Sequence, residues 1–317
     1  MVLFLDVFVP PFGLLLLGAL LKRHLLPADA IWAGIERLVF WALMPALLVS
    51  AIASVDLAAL PLGRMGLAIW LSLLIGAAVS LGLARLFRVD HPGTTSVFQG
   101  GIRFNNLMGF AVIGGVFGAG GTALGAVATG LIVPFVQTLT TLVFAVGPGV
   151  GGPTAGGRIS PRRVLRQLLL NPLLLACLAG FAVALLGGLP AGVKPLLLSL
   201  GQASVALGLL CVGAALSLGA LGGRLPLQLA TSAIKLLLMP FLALWLGRWF
   251  GLDPLPLAAA VVFMALPTAT TSYVMARAMG GDAPLMAALT SLEHLLSVLT
   301  LPCWILLLQS LVSRAGS

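Results

Sequence analysis

Apolar stretches of about twenty residues recur along the chain, each closed by glycine, proline or a charged cluster. Read as helices, they cover residues 4–21, 34–53, 66–87, 95–117, 122–146, 165–187, 196–219, 226–250, 256–278 and 285–311. Roughly 20 residues cross a bilayer core of about 30 Å, so the pattern predicts an all-α membrane protein of ten spans. The longest polar interval, GPGVGGPTAGGRISPRRVLR from Gly147 to Arg166, divides the chain almost at its midpoint. Its glycine and proline content reads as a flexible linker. The expected organisation is a five-span repeat over 1–147, a cytoplasmic Gly/Pro/Arg linker over 148–164 and a second five-span repeat over 165–317.

Internal similarity supports two repeats. Residues 101–121, GIRFNNLMGFAVIGGVFGAGG, and 261–281, VVFMALPTATTSYVMARAMGG, each carry a polar interruption about a third of the way along and end in a glycine pair. Beyond them, TALGAVATGL (122–131) aligns with APLMAALTSL (283–292) at Leu124/Leu285, Ala126/Ala287, Thr129/Thr290 and Leu131/Leu292. Five spans per half is an odd number, so the second half enters the membrane from the opposite side. Inverted repeats of this kind build two alternating gates around one site in many secondary transporters.

Composition agrees with a lipid-facing surface: 60% of the 317 residues are hydrophobic, 8% are charged, and the mean hydropathy is +1.17. A soluble domain carries about 25% charged residues. The net charge of +9 forms no stripe that would suit nucleic acid; the cations sit between apolar segments, as topology signals do. Placing the N-terminus outside puts Lys22, Arg23, Arg37, Arg85, Arg88, Arg158, Arg162, Arg163, Arg166, Arg224 and Arg277 on the cytoplasmic side, with Arg64, Lys194, Arg248 and Arg314 opposite. Eleven against four favours that orientation, with both termini extracytoplasmic in a multi-pass cell (inner) membrane protein. The chain opens on an apolar run without a basic leader, which reads as the first span. Cys177, Cys211 and Cys303 lie in apolar runs and read as packing residues, not as a metal site or disulfides.

The candidate chemistry gathers in spans 4 and 9. Span 4 carries Arg103, Asn105, Asn106 and Gly109; span 9 carries Pro267, Thr268, Thr270, Thr271 and Ser272. Asparagine is a poor helix-interior residue, and proline removes a backbone donor and clashes with the preceding turn. Two helices broken at matching positions would present half-helix N-termini, which suit an anion. The alternative is a simple kink at Pro267 with hydroxyls bonded back to carbonyls. Ionisable residues inside spans are costly and tend to be functional: Glu293 reads as a proton or sodium site with His294 assisting, against a neutral glutamic acid bonded to a neighbouring span. Lys235 reads chiefly as snorkelling toward an interface, with balancing Glu293 or attracting an anion as the alternatives, and Arg103 reads as either a substrate partner or a structural ion pair. Gln99, Gln137 and Gln202 are further polar candidates, while Pro45 and Pro134 read as bends. GxSxG, HExxH and P-loop motifs are absent, which argues against an intramembrane enzyme or a nucleotide-driven pump. A carrier and a channel-like or facilitative uniporter of the same fold remain, and no cofactor is expected.

Several stretches resemble the auxin efflux carrier family, which includes bacterial permeases and plant auxin exporters. They are VPPFGLLLLGALLKRHLL (9–26), MPALLVSAIA (44–53), RFNNLMGFAV (103–112), VLRQLLLNPLLLACLAG (164–180, with Asn171-Pro172), LCVGAALSL (210–218) and ALPTATTSYVMARAMGGDAPLMAAL (265–289). The resemblance implies a fold like the bile acid/sodium symporters, with spans 4 and 9 crossing at the substrate site. It also implies a scaffold and a mobile, elevator-like transport domain, commonly in a homodimer. Asn105 and Pro267 match the family's crossover residues. Asn106 stands where threonine is common, Gln137 where asparagine is frequent, and Glu293-His294 where bacterial members often have uncharged polar residues. The implied cargo is a small organic anion, such as malate, malonate or an auxin-like aromatic carboxylate. Taken with the reading of the residues themselves, the candidate substrate-binding set is Arg103, Asn105, Asn106, Gln137, Pro267, Thr268, Thr270 and Thr271, with Glu293 and His294 for coupling to H+ or Na+.

Overall fold

A computed structural model describes residues 2–53, 62–146, 170, 172–216 and 223–315. The linker expected over 148–164 and Asn171 lie outside the described residues. Among those described, every regular element is helical: α1 (Val2–His24), α2 (Asp29–Ile52), α3 (Leu62–Leu86), α4 (His91–Ile102), α5 (Asn106–Val146), α6 (Pro172–Leu185), α7 (Val193–Ala215), α8 (Leu225–Trp249), α9 (Pro254–Ala265), α10 (Thr271–Met279) and α11 (Ala283–Ala315). Six stretches among the described residues are long and apolar enough to cross a membrane: Asp29–Ile52, Gly63–Leu86, His91–Phe144, Val193–Ala215, Leu225–Trp249 and Ala283–Val312. An all-helical membrane protein is the result. Leu16, Leu17, Trp41, Trp245 and Leu299 point outward, which water would penalise and acyl chains do not.

Two helices widen where a proline follows. A π-turn over Val39–Leu43 precedes Met44-Pro45, and a second over Ile234–Leu238 precedes Met239-Pro240. Proline has no N–H to return to the carbonyl four residues back, so the ladder loosens there. In α8 that carbonyl belongs to Leu236, and it accepts the indole N–H of Trp304 at 2.9 Å. Within α5, Gly118 leaves the helical region (φ 62°, ψ −149°), so the helix has two arms. A residue with a side chain adopts that conformation only with strain.

Contacts gather the chain into two units, each drawn from both sequence halves: 1–62, 106–133 and 169–216 form one, and 63–105, 134–168 and 217–317 the other. In the first unit α1 runs against α7 with backbones almost touching. A Cβ on Gly18 would meet the Leu210 carbonyl oxygen at 2.1 Å, and one on Gly213 would meet that of Leu15 at 1.9 Å. Small residues at such crossings let helices pack where lipid gives no hydrophobic drive. The core beside this crossing joins Met44, Leu47, Leu48, Ile52, Phe110, Leu173 and Cys177. In the second unit, α9 is buried on every side from Leu257 to Ala265, and a separate cluster joins Ala84, Val97, Leu227, Ala276, Leu285, Met286 and Leu289.

Candidate functional site

The second unit contains two helix breaks. The first follows α4, where Arg103 turns extended (φ −75°, ψ 162°) and no helix resumes until Asn106. The second follows α9, where Leu266 is extended (φ −68°, ψ 146°) and α10 begins only at Thr271. The residue before a proline is pushed out of the helical region by the ring's Cδ, so Pro267 accounts for the second break. The backbone N–H of Asn105 donates to the Pro267 carbonyl at 2.8 Å, tying one break to the other. The Phe104 ring meets that of Phe263 edge-on, with centroids 5.9 Å apart.

Backbone groups freed inside an apolar environment need partners, and side chains of α8 and α11 supply them. Thr268 N–H donates to Glu293 Oε2 at 2.8 Å, and Thr268 Oγ1 donates to the Gln99 carbonyl at 3.3 Å. At the C-terminal end of α9, Lys235 Nζ donates to the Met264 carbonyl at 3.2 Å. Lys235 and Glu293 are both fully buried. The expectation that Lys235 snorkels to an interface is therefore wrong: the π-turn of α8 carries the ammonium inward to carbonyls that the end of α9 leaves open. The signal was a lysine amid leucines, but its partner lies 29 residues away, beyond local pattern.

His294 sits one residue on from Glu293, yet its bonds run elsewhere. Its Nδ1 lies 2.7 Å from the Thr290 carbonyl, which can only accept, so the proton is on Nδ1. Its Nε2, 3.0 Å from Asn105 Nδ2, is then the acceptor for that amide. Arg103 donates to Thr271 Oγ1 at 3.1 Å and also reaches the Met275 sulfur. Asn105, Thr268, Ser272, Glu293, His294, Gln99 and Lys235 are all buried. Among the described residues, Glu293 Oε1 and both side-chain polar atoms of Gln99 have no hydrogen-bond partner. The structure thus brings Arg103, Asn105, Pro267, Thr268, Thr271, Glu293 and His294 together, and adds Gln99, Lys235 and Ser272. Thr270 precedes α10 as its N-cap residue without a capping side-chain bond. Asn106 belongs to the first unit, where its Oδ1 accepts from Thr129 Oγ1 at 3.0 Å. Gln137 lies half-buried on the far arm of α5, and Gln202 is exposed on α7.

Comparisons with known proteins bear on this geometry. Residues 158–305, which span the second break and Glu293, match the family model described as "Membrane transport protein". An "Uncharacterized transporter" of Methanothermobacter thermautotrophicus is 24% identical over 92% of this chain and 94% of its own length. A "Putative malonate transporter" of Rhizobium meliloti is 31% identical over 176 residues, covering 53% of this chain and 54% of that protein. These relatives are transporters, not enzymes.

Proposed function

We propose that this chain is a membrane transport protein of the auxin efflux carrier family, and a secondary carrier moving a small carboxylate by alternating access at its two helix breaks; the family-model match and the two relatives support the first part. The observation that carries the reading is the Asn105 N–H bond to the Pro267 carbonyl, within a buried shell of polar side chains. Such a shell is hard to sustain in an apolar unit unless it serves a polar cargo. The start of α10 offers an anion the positive end of its helix dipole, with Arg103 already held at Thr271. Malonate is the first compound to test, because one relative's description names it.

The reading includes ten spans in two inverted repeats, a bile acid/sodium symporter-like crossing of spans 4 and 9, a homodimer, and an inner-membrane location with both termini outside. The 54-residue stretch His91–Phe144 supports more than one crossing, since about 20 residues suffice. Asn106, Thr270 and Gln137 enter as further substrate contacts. Glu293 carries the coupled cation, a proton or a sodium ion.

Countertransport in proteoliposomes tests the carrier. Unlabelled malonate on the far side is expected to accelerate uptake of labelled malonate, whereas a pore would show no acceleration. Glu293→Gln is expected to flatten the pH or sodium dependence of uptake; an unchanged dependence would return Glu293 to a structural role. His294→Ala removes the acceptor that orients the Asn105 amide. Its expected effect is a rise of about tenfold in the half-saturating malonate concentration, equivalent to about 1.4 kcal/mol, with a smaller change in maximal rate. Wild-type saturation in that variant would remove His294 from the site.

A further inference from the structure

Lys235 is the one buried ammonium among the described residues that reaches a helix break. A buried ammonium is expensive unless it is paired and hydrogen-bonded. Here it has two stabilising neighbours. One is the C-terminal end of α9, where the last carbonyls lack intrahelical partners and carry the negative end of the helix dipole. The other is the Glu293 carboxyl, which lies within electrostatic reach.

The same place is ill-suited to a second cation. The Thr268 N–H, a donor, already points at Glu293 Oε2, and a metal ion beside Lys235 would be repelled by a fixed positive charge. Hard cations ask for a shell of several oxygens. Among the described residues, the side-chain oxygens here that lack a hydrogen bond are few: Glu293 Oε1, the Gln99 amide oxygen and, on α8, Ser232 Oγ. No group of three or more His, Cys, Asp or Glu side chains able to hold a metal occurs among the described residues.

We propose that the Lys235 ammonium is the resident cation of the helix-break site, filling by covalent attachment the role of a bound sodium ion, so that carboxylate uptake is independent of sodium. The proposal rests on the carrier reading above and narrows its coupling ion to a proton at Glu293. Of the elements packed on α11, α9 carries no titratable side chain, and α4 has His91 at its opposite end and Arg103 just past its near end, turned to Thr271. The π-turn of α8 brings Lys235, α10 carries Tyr273 and Arg277 with the guanidinium 5.9 Å from the ring centre, and α11 itself adds His294. Lys235 is the charged group that acts on Glu293.

The test is uptake of labelled malonate by the purified protein in liposomes, with sodium, potassium or choline chloride outside at one pH. Initial rates within about twofold of one another are expected; a severalfold stimulation by an inward sodium gradient would overturn the proposal. Lys235→Gln is expected to lower uptake at least about tenfold in every salt, with Lys235→Arg retaining more, while wild-type rates in Lys235→Gln would also overturn it. If the glutamine variant does not fold, the wild-type salt series decides alone. Absence of malonate uptake in every salt would speak against the malonate reading instead. The unfolding midpoint of the wild-type protein then decides on Lys235: it is expected to be equal in sodium and choline chloride, and a sodium-specific rise would refute a resident ammonium.

Discussion

Asn105→Ala is expected to lower malonate uptake about 100-fold while the protein still inserts and purifies as a folded species. The factor corresponds to about 2.7 kcal/mol of lost transition-state stabilisation. Two effects add. The side-chain amide that His294 orients within the break disappears, and the His294 Nε2 acceptor is left buried without its donor, a loss of roughly 1–3 kcal/mol. The backbone N–H of residue 105 still reaches the Pro267 carbonyl, so the two breaks stay tied and the fold survives. Uptake is read in proteoliposomes, and folding by a monodisperse elution peak. Uptake near the wild-type rate from well-folded Asn105→Ala would remove this residue from the site.

Gly213→Val is the larger insult to the fold and should leave no well-folded protein to assay. The first side-chain carbon would stand 1.9 Å from the Leu15 carbonyl oxygen, 2.7 Å from its carbonyl carbon and 2.9 Å from its Cα. Those are backbone atoms of a neighbouring helix, which cannot rotate aside as a side chain can. Overpacking costs about 1–3 kcal/mol even where side chains give way, and here α1 and α7 must separate along their contact. Gly18 meets Leu210 in the reciprocal way, so the damage spreads along both helices. Gly13→Ala is the control: a Cβ there meets nothing within 4 Å. Aggregation of Gly213→Val with normal elution of Gly13→Ala is the expected pair of results. A monodisperse Gly213→Val would contradict the close crossing.

The helix breaks were legible in the sequence because each has a local cause. Asn105-Asn106 and Pro267 are residues that helices reject, and both interruptions fall where the pattern of the two halves predicts them. Glu293 was legible for a similar reason, as a carboxyl inside an apolar run. What pairs with what was not. His294 stands next to Glu293 in the chain but bonds Asn105, 189 positions earlier. Lys235 has no neighbour in sequence that would draw it inward; its acceptor exists only because α9 stops at Ala265. The division into two units drawn from both halves is also non-local. By contrast, Pro45 stood out in the sequence as a candidate bend, while the π-turns ahead of Pro45 and Pro240 depend on how the surrounding helix relaxes.

The most direct measurement is an experimental structure of the purified protein with malonate bound. A carboxylate is expected within hydrogen-bonding distance, about 3 Å, of the Asn105 side chain or of the backbone N–H that opens α10 at Thr271. Malonate seated away from both breaks, with Asn105 and Pro267 untouched by it, would rule out the helix breaks as the substrate site.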